Sequence, residues 1–332
     1  MMIDIYCHII PPGYAEAIEG ISARLGDLGK RLRANRALTD LDARLRQMDA
    51  HGDYRQVPSL PNPPLEEIAD AATGAHLARL ANDAMAELVA RHPDRFPAFV
   101  AAVSLLDVDA AVAEAERAIT TLGARGVQIF THVAGRPLVL PQFLPIFALA
   151  ARHDLPIWLH PARGPSMPDY ASEPRSRFEM WWCFGWPYET SVAMARLVFS
   201  GLFDRLAGLK IITHHLGGMI PYFDGRVGPG LEVLGTRTSD EDYSGVLSAL
   251  RRPHMEYFHE FFADTAMFGS ATGLRCGLDF FGVDHVLFAT DAPLAPIGPT
   301  IAAIESLGLP EADRRAIFAG NAARLLKLRP EA

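Results

Sequence analysis

Eight short runs rich in β-branched and aromatic residues are spread along the whole chain, with helix-length stretches between them. They are IDIYCH (3–8), DYRQVPS (53–59), FPAFVAAVS (96–104), GVQIFTH (126–132), LPIWLH (155–160), LKIITHH (209–215), YFHEFFADT (257–265) and DHVLFAT (284–290). Strands separated by so much chain cannot pair as tight hairpins, and they demand crossover connections and a parallel sheet. Two connecting stretches carry the helical period plainly. Leu77, Leu80, Met85, Leu88 and Val89 recur at near-helical spacing, as do Val112, Ala115, Ile119 and Leu122. Eight strand-helix units predict an α/β fold of the (β/α)8 TIM barrel type, in which every strand ends at one mouth. An open doubly wound sheet shares the alternation and is the competing architecture.

Two insertions break the rhythm, one over roughly 9–39 and one over 162–191, after the first and fifth strands. Both follow the C-terminal end of a strand, where barrel proteins build pocket walls. With no repeat, low-complexity tract or long linker, residues 1–332 are expected to form a single barrel domain.

Composition narrows the partners. The formal net charge is −8 and no Lys/Arg-rich run exists, which argues against nucleic acid and anionic membranes and in favour of a small molecule. Cys7, Cys183 and Cys276 are far apart and form no CxxC pair, as suits a reducing cytoplasm. No stretch resembles a signal peptide or reaches the length of a membrane span.

The ends of runs one, five, six and eight carry residues able to bind a metal: His8, His160, His214-His215 and, directly after the last run, Asp291. A lone histidine on an apolar strand is more often a hydrogen-bonded core residue than a ligand. Four such endings in one register are different, because a parallel barrel brings them to the same mouth.

The stretches DIYCHIIPP, PIWLHPA, KIITHHLGGMIPYF and GVDHVLFATDAP, in that order, resemble the signatures of the amidohydrolase-2 family. That family includes the metal-dependent decarboxylases of aminocarboxymuconate semialdehyde, γ-resorcylate and 5-carboxyvanillate. The resemblance implies a divalent metal, zinc or manganese, held by His8, His160 and Asp291. It implies that His215, directly before x-G-G, acts as an acid, base or substrate-orienting group, with Asp291 serving catalysis as well. The family's first-strand pair, H-x-H or E-x-H, falls on Tyr6 and His8, so Tyr6 stands where a ligand is expected. Period two sets Tyr6 and His8 on one face and Cys7 on the other, so the cysteine is no substitute. A phenol is a poor ligand with a reference pKa of about 10, and Tyr6 is therefore expected to bind substrate as a neutral group.

Other assignments are expectations of lower rank. By alternation His214 points away from His215 and is structural. Asp264 either supports a ligand histidine or caps a helix. His132 makes a loop hydrogen bond. Arg226 meets a substrate carboxylate or pairs with a surface acid. Trp181, Trp182, Phe184 and Trp186 form a subunit interface, consistent with a homodimer or larger homo-oligomer, or a wall for a flat ring.

Three functions share these residues. The first is non-oxidative decarboxylation of an aromatic or unsaturated carboxylic acid, with Asp291 delivering a proton to carbon. The second is hydrolysis or hydration of a lactone, amide or unsaturated acid by an activated water. The third is a non-catalytic binding protein in which Tyr6 marks a lost metal.

Overall fold

The computed structural model describes residues 1–21, 26–238 and 241–328. Part of the first expected insertion, 22–25, lies outside the described residues, as do 239–240 and 329–332 at the far end of the expected domain. The eight barrel strands are β1 (Met2–His8), β2 (Tyr54–Ser59), β3 (Ala101–Ala102), β4 (Val127–Phe130), β5 (Ile157–His160), β6 (Ile211–Thr213), β7 (Phe262–Asp264) and β8 (Val286–Leu287). All their ladders are parallel: β1 pairs with β2, and β3 through β8 pair in sequence order.

Backbone bonds close these two sheets into one barrel. Val100 N–H donates to Pro58 O at 3.0 Å, joining β2 to the chain entering β3. On the other side Ile5 N–H donates to Phe288 O at 3.0 Å and Asp291 N–H to Tyr6 O at 2.9 Å, joining β8 to β1. Closure leaves no sheet edge, which is why the architecture is a barrel and not an open sheet.

The barrel interior is packed. Trp158 on β5 is fully buried and its Nε1–H donates across the barrel to Ile5 O at 2.9 Å. Ile3, Ile5, Val57, Val100, Ile212 and Leu287 pack in the same cluster, while Ile157 and Leu159 face the helices, as period two requires. Gly126 makes room for the indole, since a Cβ there would lie 2.3 Å from Trp158 Cζ3 and from Pro156 O. On β1 the register shifts between Asp4 and Cys7, so Ile5 and Tyr6 both reach the interior before alternation resumes with Cys7 outward.

Helices Ala71–Arg91, Val108–Thr120, Leu144–His153, Gly185–Phe199 and Ala271–Phe281 cover the outside. Asp70, Asp107 and Ser270 start three of them by accepting a backbone N–H three residues on. After β1 the chain forms helices Pro12–Glu19 and Gly26–Ala34 before the helix Leu41–Asp49 that leads to β2.

Three sequence expectations need correction. Of the run 257–265, only Phe262–Asp264 is strand; Tyr257 and Phe258 belong to helix His254–His259. That helix follows Pro253, and its aromatics are buried on a short turn whose composition alone reads as strand. The third strand pairs only at Ala101–Ala102, because Pro97 removes a donor from the stretch before it. The chain between β6 and β7 is a third long excursion, built from short helical turns and bends, and its lack of period hid it. No helix among the described residues is long and apolar enough to cross a membrane.

A buried polar network fastens the closure. Asp4 is fully buried and accepts from Tyr54 Oη–H (2.5 Å), Thr290 Oγ1–H (2.5 Å), Tyr6 N–H (3.1 Å) and Thr290 N–H (3.2 Å), linking β2, β1 and the end of β8. Burial pushes its carboxyl up to about 7 against the downward pull of those hydrogen bonds. The network continues from Tyr54 through Gln56 to the buried Arg44, which also donates to the carbonyl of His8. Replacing Asp4→Ala leaves two hydroxyls and two N–H groups without an acceptor. We expect a loss of about 3 kcal/mol or more in urea unfolding, with Asp4→Asn losing less because its carbonyl still accepts. A loss below about 1 kcal/mol for the alanine variant would show that closure does not depend on this residue.

Candidate metal centre

Three histidines at strand ends are held in the same manner. His8 Nδ1–H donates to Leu60 O at 3.1 Å, with Ser59 Oγ at 3.2 Å. His160 Nδ1–H donates to Pro161 O at 2.7 Å, and His214 Nδ1–H to Asp264 Oδ2 at 2.5 Å. Carbonyls and carboxylates only accept, so each ring carries a proton on Nδ1 and leaves Nε2 as the nitrogen that faces the cluster. Metal-binding histidines show this outward donation to a carbonyl or carboxylate.

The inward-facing groups converge. One ligand atom from each of His8, His160 and His214 lies within 4.8 Å of the other two, and the same holds for His214, His215 and Asp291. Asp291 Oδ1 lies 3.1 Å from His8 Nε2 and 3.7 Å from His214 Nε2. His8 Nε2, His214 Nε2, His215 Nδ1 and Tyr6 Oη are buried without a hydrogen-bond partner. Buried polar atoms are normally satisfied, and a ring of them around one carboxylate oxygen fits a divalent cation.

Electrostatics agree with this arrangement. Burial would raise the Asp291 carboxyl, but the His214 and His8 imidazoles beside it hold it well below the usual carboxylate range. Burial, and after it neighbouring His214, push His160 and His215 well below the ordinary histidine value, so both rings are neutral. His214 differs: burial opposes its charge, yet Asp264 and Asp291 outweigh burial and bring it up to about 9. Burial, then the Asp264 and Asp291 carboxylates, raise Tyr6 well above the ordinary phenol value, which keeps it neutral.

The backbone explains why His214 joins the cluster, against the expectation that it turns away. Strand β6 ends at Thr213, and His215 and Leu216 adopt positive φ (53° and 55°). Strand alternation therefore stops before the pair, and the two rings lie 3.7 Å apart by their centroids. The glycines that follow permit the turn: Gly218 has φ 64°, and a Cβ there would lie 2.4 Å from Pro187 O. Asp291 also has positive φ (66°), which sets its side chain at the mouth immediately after β8.

The remaining assignments divide. Tyr6, His8, His160, His215 and Asp291 come together as expected. Asp264 supports a histidine and does not cap a helix; Ser270 is the cap of the helix that follows. His132 Nδ1 accepts from Gly135 N–H at 3.1 Å, a loop bond. Arg226 is exposed, lying 5.7 Å over the Phe223 ring, and is not brought into the cluster. Trp181 and Trp186 are buried within the chain and so are not a free interface surface, whereas Phe184 is exposed. Trp186 packs on His160 (5.5 Å between centroids) and His215 (5.8 Å), forming a wall of the site.

Two arginines carry no sequence signal for the roles they take. Arg44 locks the end of β1 through the His8 carbonyl. Arg31, from the first insertion, donates to Leu294 O at 2.9 Å and lies 5.8 Å over the Trp182 ring.

With this geometry in place, comparison with known proteins is direct. The γ-resorcylate decarboxylase of a Rhizobium species is 36% identical over 322 residues, covering 91% of each chain. The crystal structure of 5-carboxyvanillate decarboxylase from Sphingomonas paucimobilis superposes with a TM-score of 0.84 at 28% identity, covering 99% of both chains. A Polaromonas dihydroxybenzoic acid decarboxylase, solved with manganese and 2-nitroresorcinol, gives 0.81 at 29% identity, covering 99% of this chain and 98% of that one. The amidohydrolase family model matches residues 3–328, and the chain belongs to that family.

Proposed function

We propose that the protein is a metal-dependent, non-oxidative decarboxylase of an aromatic carboxylic acid bearing a neighbouring hydroxyl group, acting as one catalytic domain. The observation that carries this reading is the buried set His8, His160 and Asp291 beside the unanchored His215, on a chain similar over nearly its full length to decarboxylases of such acids. A divalent cation held by His8, His160 and Asp291 supplies charge stabilisation and a template for the substrate's oxygens. Manganese is the first candidate, since the Polaromonas relative was solved with it, and zinc is the alternative.

The chain's own groups then do the following. The ionised Asp291 carboxylate takes the proton of the incoming hydroxyl and returns it to the ring carbon that bears the carboxylate. As the new C–H bond forms, the C–C bond to the carboxylate breaks, its electron pair restores the ring, and carbon dioxide leaves. His215, neutral and with Nδ1 unpartnered, hydrogen-bonds a substrate oxygen and holds the ring against Asp291. Tyr6 keeps its buried hydroxyl for a substrate oxygen, and Trp186 excludes water from one side. Arg226 is assigned to the substrate carboxylate only in an assembly that brings its exposed side chain to a site, and a homo-oligomer is the form we assign. The free Cys7, Cys183 and Cys276 suit a reducing compartment, and we assign the cytoplasm.

Incubation of the metal-loaded protein with hydroxybenzoates should release carbon dioxide and the corresponding phenol, read by gas analysis and chromatography. Turnover of lactones or amides with no acid decarboxylated overturns the assignment in favour of hydrolysis. Purified without chelator, the protein should hold about one divalent ion per chain by elemental analysis. Chelation should abolish turnover, and manganese or zinc should restore it. His215→Asn should retain the ion and lower kcat by about 100-fold or more, as expected for a group that orients substrate or moves a proton. Loss of the ion in that variant would instead make His215 a ligand.

A further inference from the structure

We propose that this chain has relocated one of its metal ligands: His214, at the end of β6, completes the donor set in place of the ligand that β1 gives up by carrying Tyr6. This rests on the metal-dependent reading above and adds His214 to the ligands named there.

The imidazoles are held in two different ways. His8, His160 and His214 all spend Nδ1–H on a fixed acceptor outside the cluster and turn Nε2 inward. His215 does not, because its Nδ1 has no partner. A ligand must be held in one tautomer and one orientation, while a group that works on substrate must keep a nitrogen for it. By that criterion His214 groups with the ligands and His215 with the catalytic machinery. The acceptor for His214 is a carboxylate, Asp264, which is itself fixed by accepting from His215 N–H (3.1 Å) and Ala266 N–H (2.9 Å).

Distances fit the same assignment. Two nitrogen or oxygen ligands about 2.1 Å from a shared tetrahedral cation lie about 3.4 Å apart. The separations from Asp291 Oδ1 to His8 Nε2 (3.1 Å) and to His214 Nε2 (3.7 Å) bracket that value. Both imidazole nitrogens thus already face the one carboxylate oxygen at ligand spacing.

The Tyr6 ring, as distinct from its hydroxyl, serves as packing. It lies flat on His214, with centroids 3.8 Å apart and planes at 12°, and it is fully buried. The aromatic face that replaces a first-strand ligand is thus the surface that fixes the plane of the new one.

Metal affinity tests this without recourse to turnover. Manganese and zinc dissociation constants of wild type, His214→Gln and Tyr6→Phe are measured by chelator competition, with circular dichroism as the check on folding. His214→Gln should weaken binding by about 100-fold or more, and Tyr6→Phe should stay within about 3-fold of wild type. Unchanged affinity in His214→Gln, or loss of the ion in Tyr6→Phe, overturns the relocation while leaving a metal enzyme. A wild type that binds neither ion overturns the metal-dependent reading and this inference with it. Should His214→Gln fail to fold, proton NMR of the cobalt-loaded wild type decides. Three strongly shifted, exchangeable Nδ1–H signals are expected from His8, His160 and His214, and two would overturn the proposal.

Discussion

Closure of the barrel between β8 and β1 is the constraint on which the site depends. His8 and Asp291 stand at opposite ends of the sequence, and the backbone bonds from Asp291 to Tyr6 and from His8 to Ala292 (2.7 Å) set them side by side. A few hydrogen bonds worth about 1 kcal/mol each would not hold such a distant pair against chain entropy. The interior plug around Trp158 and the Asp4 network on both flanks of β1 supply the rest. Asp4 therefore shapes the site from below, in the layer beneath His8, without touching it.

Charge balance explains how the cluster tolerates so much buried polarity. Asp264 and Asp291 bring two carboxylates into a fully buried volume, and isolated buried charges are costly. Without a cation, a proton on His214 balances one of them, which is why that ring stays charged where His160 and His215 are neutral. A dication balances both and releases His214 to present a lone pair. The arrangement is thus compensated better by a metal than by protons, and the depressed Asp291 carboxyl is ready to ligate at any ordinary pH.

The sequence made the barrel legible because strand and helix periods are local properties, and eight repetitions leave few topologies. His8, His160, His214-His215 and Asp291 stand out because a parallel barrel sends every strand end to one mouth, and the resemblance alone separates His215 from His214. His214 escaped because alternation was carried one step past the end of β6, into residues with positive φ that no local pattern announces. Arg44 escaped for another reason: a buried arginine whose partners are the His8 carbonyl and Gln56, far away in sequence, looks like any helix-surface arginine until the packing is known. Residues 257–259, the second half of helix His254–His259, fall in the expected strand 257–265 because buried aromatics satisfy either period over so short a run.

The division of labour between strands and insertions bears on substrate choice. Metal-competent groups come from the ends of β1, β5, β6 and β8, where the ladder and interior packing fix them. The walls come from elsewhere. Trp186, from the segment after β5, faces both His160 and His215, and its Nε1–H is tied to Arg163 O at 2.9 Å. Trp182 beside it meets Arg31 from the segment after β1, so the two insertions touch over the mouth. Aromatic faces set around a polar floor suit a flat ring whose oxygens point down to the strand ends. Since the roof is loop and the floor is strand, substitutions at Trp182 or Arg31 can alter which ring is accepted without disturbing the ligands, and the chemistry stays with the barrel while specificity moves with the insertions.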